Sequence, residues 1–88
     1  MWRRSPDVAV VGGDNRVVVL GLADPTTARP LVLEGPAASV WHALDAPGTT
    51  AEVVERVAAD FGLPATEVEA DVSAFIEDLR RRQLVLRG

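Results

Sequence analysis

Cysteine is absent from these 88 residues, and so are lysine and tyrosine. Without a thiol the chain forms no disulfide, builds no thiolate zinc site and offers no cysteine nucleophile. Histidine occurs once, as His42 beside Trp41, so no histidine pair has zinc spacing either. Ser5, Ser39 and Ser73 have no companion histidine in a catalytic arrangement. No glycine pattern matches a phosphate loop. Glu67 and Asp71 stand at i, i+4 and could hold a hard cation, but the ordinary reading of such a pair is the acidic opening of a helix. The expectation is therefore a non-enzyme with no catalytic residues, no metal and no cofactor.

Long apolar runs are also missing. None approaches the ~20 residues of a membrane span. The basic start Met1-Trp2-Arg3-Arg4 is not followed by an apolar stretch of signal-peptide length, so the expected place is the cytoplasm, away from membranes. Positive charge is scarce as well: 9 arginines face 13 acids, a net charge of −4. Proteins that neutralise phosphates usually carry a basic face, so nucleic acid is not expected as a partner. The balance of Ala, Val and Arg without lysine resembles the product of a GC-rich bacterial genome.

What is present is apolar residue, 48% of the chain, ample for a globular core. Residues 1–88 are expected to form one domain, small enough to bury only ~60–65% of its unfolded surface. Val8-Ala9-Val10-Val11 is a β-favouring run stopped by Gly12-Gly13-Asp14, a cluster suited to a tight hairpin turn. Arg16 to Leu22 follows, rich in β-branched residues and apolar on both faces, as a central strand is. Asp24-Pro25-Thr26-Thr27 breaks it, and Arg29-Pro30-Leu31-Val32-Leu33-Glu34 reads as a third strand ended by Gly35-Pro36. Proline has no amide to donate, so it is tolerated at an edge, a strand start or a bulge. The third strand is thus the predicted edge of an antiparallel meander, with backbone groups another chain could use.

From Pro36 the period is helical. Pro36 suits a first helical position, and Val40, Trp41 and Leu44 form one face before Pro47-Gly48. Thr49-Thr50-Ala51-Glu52 is a capping box opening a second helix, with Val53, Val54, Val57, Ala58 and Phe61 at helical spacing and a stop at Gly62. A third helix is expected from about Pro64 to Arg82, its stripe formed by Val68, Val72, Phe75, Ile76 and Leu79. Acids lead that helix and Arg80, Arg81 and Arg82 close it, which complements the helix dipole. The arginine run reads first as dipole compensation, and otherwise as a contact to an acidic partner. Leu84-Val85-Leu86 suggests a short final extended segment. The fold class is α+β, in the order β-β-β-α-α-α.

The stretch Leu33-Glu34-Gly35-Pro36-Ala37-Ala38-Ser39-Val40-Trp41-His42-Ala43-Leu44 resembles the strand-to-helix junction of PqqD-like proteins, where a Val-Trp or Ile-Trp pair sits on the helix. Thr49 to Val54 is similar to that family's second helix. Glu69 to Leu79, with Gln83-Leu84-Val85 after it, is similar to its third. The likeness runs from about Val8 to Leu86. Two positions depart from it: Gln83 stands where glycine is common, and Pro64 replaces the usual polar cap. The resemblance implies a small winged helix-turn-helix that recognises ribosomally made, post-translationally modified peptides and presents them to modifying enzymes. The discrete recognition proteins of lasso-peptide pathways are the most similar. Their partners are a precursor leader peptide, commonly with a Tyr-x-x-Pro element, a leader peptidase and an ATP-dependent, asparagine-synthetase-like cyclase.

Residues and resemblance agree on β-augmentation, an extended peptide pairing with an open strand edge. The expected peptide-binding residues are Pro30, Leu31, Val32, Leu33 and Glu34 on the strand, and Val68, Asp71, Val72, Phe75, Asp78, Leu79 and Arg82 on one flank of the third helix. Leu31 and Leu33 share one face and Val32 the other, and sequence leaves open which face meets the ligand. Val72, Phe75 and Leu79 also read as core. The rival is a DNA-binding winged-helix regulator, whose third helix would meet the major groove with Glu67, Glu69 and Asp71, the wrong sign for phosphate. A protein partner or a second copy pairing with the same edge is a further alternative.

Overall fold

The computed structural model describes residues 1–13, 15–22 and 29–87. Among these residues five strands and three helices follow one another: β1 (Trp2–Arg4), β2 (Val8–Gly12), β3 (Arg16–Gly21), β4 (Leu31–Glu34), α1 (Pro36–Ala43), α2 (Thr50–Phe61), α3 (Ala65–Arg81) and β5 (Val85–Arg87). The meander is present as the antiparallel sheet β2-β3-β4, followed by the three helices. Asp14 of the expected hairpin turn and the expected break at Asp24-Pro25-Thr26-Thr27 lie outside the described residues.

Local chemistry accounts for most of these boundaries. Gly12, with φ of 141°, ends β2 where no other residue fits: a Cβ there would stand 2.3 Å from the Arg16 carbonyl oxygen. Gly35 turns β4 into α1 with φ of 58° and ψ of −124°, and Pro36 then occupies the first helical position. The α2 capping box forms as expected. Glu52 N–H donates to the Thr49 hydroxyl at 3.2 Å, and Thr49 N–H donates to the Glu52 carboxylate at 2.9 Å. Those bonds hold the exposed Glu52 carboxyl below its ordinary pKa. Gly62 caps the far end of α2. Pro64 is the cap residue of α3 and supplies no side-chain bond, whereas Arg80 and Arg81 sit in the last turn as the dipole favours.

One core joins these elements. Val17, Val19 and Leu33 bring it the inner face of the sheet, and Ala38, Val40, Trp41 and Leu44 bring it α1. Val53, Val54, Val57 and Ala58 come from α2, and Val68, Val72, Ile76 and Leu79 from α3. Phe61 departs from the expected stripe. It is the last residue of α2 and 43% exposed, because the chain turns away at Gly62 before anything packs over it.

The extended segment expected at Leu84-Val85-Leu86 is β5, and it belongs to a second sheet whose other strand, β1, the sequence did not announce. β1 pairs with β5 antiparallel, Trp2 opposite Arg87 and Arg4 opposite Val85. Trp2 is buried, exchanges backbone bonds with Gly48 and donates its indole N–H to the Thr50 hydroxyl at 2.8 Å. Arg4 lies 4.7 Å over the Trp41 ring and donates to the Trp41 carbonyl at 2.6 Å, pinning the strap to α1. The Trp41 indole N–H itself has no acceptor among the described residues. Three-residue strands with partners at the opposite chain end carry no periodic signal, so Met1-Trp2-Arg3-Arg4 read only as a basic start. Gln83, between α3 and β5, adopts φ of 60°. It is the position where the resemblance leads one to expect glycine.

Candidate functional site

The candidate site centres on β4, which has β3 on one side and, among the described residues, no strand on the other. Which of its backbone groups face outward follows from the bonds at the ends of the neighbouring hairpin. Gly13 N–H donates to Arg16 C=O at 2.9 Å and Leu22 N–H donates to Asp7 C=O at 2.7 Å. Hydrogen-bonded and non-bonded pairs alternate along an antiparallel ladder, so Ala9 with Leu20 and Val11 with Val18 are the bonded pairs between. β3 therefore directs the backbone of Arg16, Val18 and Leu20 to β2, and that of Val17 and Val19 to β4. Their partners on β4 are Leu33 and Leu31. The bond from Gly35 N–H to Asn15 C=O at 3.0 Å continues the same alternation. Val32 and Glu34 accordingly turn both N–H and C=O to the open edge. Pro30 precedes them at a position where a missing N–H costs the sheet nothing.

Side chains obey the same period. Leu33 is 2% exposed and Leu31 is half-buried against the core, while Val32 stands 45% exposed on the outer face with Glu34. That resolves the alternative the sequence left open: Leu31 and Leu33 face the core. On the outer face Val11, Val18 and Val32 lie in register across all three strands. Beside them Arg16 and Glu34 oppose each other, 4.0 Å apart and both well exposed. The continuous apolar run of β3 hid this row, because alternation cannot be read where every position is apolar.

The other residues expected in the site lie on α3, which packs against α2, α1 and β5. Val68, Val72 and Leu79 are buried and hold the helix in the core. Phe75 is half-buried against the same core cluster as Leu31. Asp71 is exposed. Asp78 accepts from Arg82 Nε at 3.1 Å and pairs with Arg81 at 3.6 Å, and Arg80 pairs with Glu77. The three arginines are thus engaged with acids of their own helix. The Arg80 bond holds the Glu77 carboxyl below its ordinary range. Leu31, Val32, Glu34, Phe75, Asp71, Asp78 and Arg82 reach the surface in whole or part, whereas Leu33, Val72 and Leu79 act through packing.

One other concavity, about 380 Å³, is lined by Asn15, Ser39, His42, Ala43, Arg56 and Asp60. It gathers a serine, a histidine and an acid, but their bonds are wrong for a nucleophile. Ser39 donates directly to Asp60 at 2.8 Å, and His42 meets the Gly13 carbonyl at 3.0 Å. Arg56 donates to the carbonyls of Ala43 and Ala46, clamping the loop after α1. Among the described residues no group of three or more His, Asp and Glu could hold a metal ion, and no helix is long and apolar enough to cross a membrane.

The sequence matches the family of coenzyme PQQ synthesis protein D (PqqD) over residues 21–85. The chain belongs to the PqqD family. The matched segment begins at the end of β3 and contains β4, all three helices and the start of β5, but not β2. Of the outer strands of this sheet among the described residues, β2 and β4, the family segment includes only β4. No curated protein sequence matches this chain significantly. Among solved structures, TbiB1 in complex with the TbiA(beta) leader peptide has the same fold, at a TM-score of 0.80 and 23% identity, over 98% of this chain and 96% of that one.

Proposed function

We propose that this PqqD-family protein is a recognition element for the leader segment of a ribosomally made precursor peptide. The leader adds as a further antiparallel strand to the open edge of β4, with α3 as the facing wall. The observation that carries the reading is the β4 edge itself: Val32 and Glu34 turn their backbone groups outward within the family segment. Support also comes from the fold shared with TbiB1, whose structure is a complex with a leader peptide. In the lasso-peptide setting, the bound leader is handed to a leader peptidase and an ATP-dependent, asparagine-synthetase-like cyclase. The protein itself is non-catalytic and works in the cytoplasm.

The magnitudes suit a carrier that must release its cargo. Pairing with Pro30 C=O, Val32 and Glu34 gives about four or five backbone bonds at roughly 0.5–1.5 kcal/mol each. Two or three apolar side chains beside Leu31 and Phe75 add roughly 1.5–3 kcal/mol apiece. Ordering the leader costs about 2–5 kcal/mol, and lost translational freedom costs more. Contacts and costs are of similar size, so binding is expected to be reversible and of moderate strength.

The test is fluorescence anisotropy of the labelled leader from the precursor encoded beside this protein, titrated at low and high salt. Saturable binding near or below micromolar, little changed by salt, is expected of a backbone-paired, apolar contact. A folded protein that leaves the peptide free overturns the reading.

A further inference from the structure

The outer face of the sheet, opposite the core, carries its own pattern of side chains. Val11, Val18 and Val32 form one apolar row across β2, β3 and β4, and the row stops abruptly at the open edge. Val11 is 73% and Val32 45% exposed, so the row is solvated along its length, and Val32 has an apolar cross-strand neighbour on one side only. The next row outward on the same face is Arg16 opposite Glu34. It also ends at the open edge, on the carboxylate.

A strand added to β4 continues both rows. Val32 turns both its N–H and its C=O to the open edge, so the peptide residue directly opposite exchanges two bonds with it. Directly opposed residues in an antiparallel pair send their side chains to the same face, with Cβ atoms about 4.5–5.5 Å apart. That peptide residue therefore stands on the outer face beside Val32; its two neighbours point to the core side, the face of Leu31 and Leu33. Two residues earlier in the peptide, because the strands run oppositely, another side chain stands beside Glu34.

We infer that this edge reads its peptide on the solvent side as well: the residue opposite Val32 is apolar and β-branched or aromatic, extending the row Val11–Val18–Val32. The residue two positions before it, opposite Glu34, is best basic, giving the alternating row Arg16, Glu34, cation. An acid there faces a like charge. The ligand class is thus an extended segment whose outward side reads basic, skip one, apolar. This rests on the augmentation proposed above, and its failure is separable from failure of that reading.

The experiment is a positional scan of the neighbouring precursor's leader, each position carried as Ile, Ser, Lys and Asp. Every peptide is titrated by anisotropy against the wild-type protein, Val32→Thr and Glu34→Lys. Threonine keeps the β-branched shape at an exposed position, so the fold is retained. With wild type, one position should prefer Ile over Ser by about two- to fivefold. Val32→Thr should shrink that preference toward one while leaving the other positions alone. Glu34→Lys should invert the Lys-over-Asp preference two positions N-terminal to it. If peptides bind but no positional preference responds to Val32→Thr, the solvent-side reading is wrong and the recognition function stands. If the Glu34→Lys response falls two positions C-terminal instead, the strand is parallel and the assignment is overturned. If no peptide binds folded wild-type protein, the proposed function falls, and this inference falls with it.

Discussion

Replacing Val32 by proline separates the open edge of β4 from the fold that supports it. The N–H this removes points away from β3, because the ladder to β3 is carried by Leu31 and Leu33. Proline at an edge, its missing donor outward, is tolerated. The side chain lost is 45% exposed, and Leu31 before it already holds the extended backbone a proline demands. The stability cost should therefore be about 1 kcal/mol or less. Binding should suffer more. The peptide loses one backbone bond, and its own carbonyl is left facing a ring with no donor, a penalty of about 1–3 kcal/mol. That corresponds to a Kd roughly 5- to 150-fold weaker. The matched control is Val10→Pro on β2, whose backbone also faces away from β3 but at the sheet's other edge. Anisotropy with the leader peptide, alongside thermal melts of all three proteins, reads both effects. Val32→Pro that melts normally and binds at wild-type strength refutes the augmentation mechanism. Equal weakening by Val10→Pro places the peptide on the wrong edge.

Three other outcomes are expected. Gln83→Gly should raise stability by about 0.5–1 kcal/mol in chemical denaturation, since φ of 60° strains any residue with a Cβ and suits glycine. Leu79→Ala should cost about 2–5 kcal/mol, because Leu79 is wholly buried; peptide binding should recover at low temperature in proportion to the folded fraction. Stability should also fall in acid. Glu52 and Glu77 have pKa values lowered in the folded chain, by the Thr49 cap and the Arg80 bond respectively, so the unfolded chain binds protons more readily. Their contribution is present above the ordinary glutamate pKa of about 4.3 and is lost as pH drops through the lowered values. Melting curves of Glu52→Gln against wild type should show a shallower pH dependence for the variant in that window.

Much of this architecture could be read along the chain because its determinants are local. The Thr49–Glu52 box, Pro36 at a helix start, Gly62 at a helix end and the charge gradient of α3 each act within a turn or so of helix. Of the expected stripe Val68, Val72, Phe75, Ile76 and Leu79, Phe75 is half-buried and the others are buried as their spacing requires. Pro30 pointed to an edge because a missing N–H is a property of the residue itself. The extended segment at Leu84-Val85-Leu86 was legible and becomes β5, but its pairing with β1 was not, since Trp2 finds Arg87, Gly48 and Thr50 only after the chain has folded back on itself. Phe61 misled because helical spacing gives a direction but not whether a neighbour waits there.

For the candidate site, local residue chemistry alone is enough to mark a short apolar edge strand, led by proline and closed by glycine. Which side chains that strand shows was decided by tertiary structure. Val17, Val18 and Val19 are chemically identical, and only the helices packed on one side of the sheet make Val17 and Val19 core and leave Val18 outside. The cross-strand register then carries the choice to β4, burying Leu33 and presenting Val32. Alternation is intrinsic to a strand, but its phase is set by what covers it.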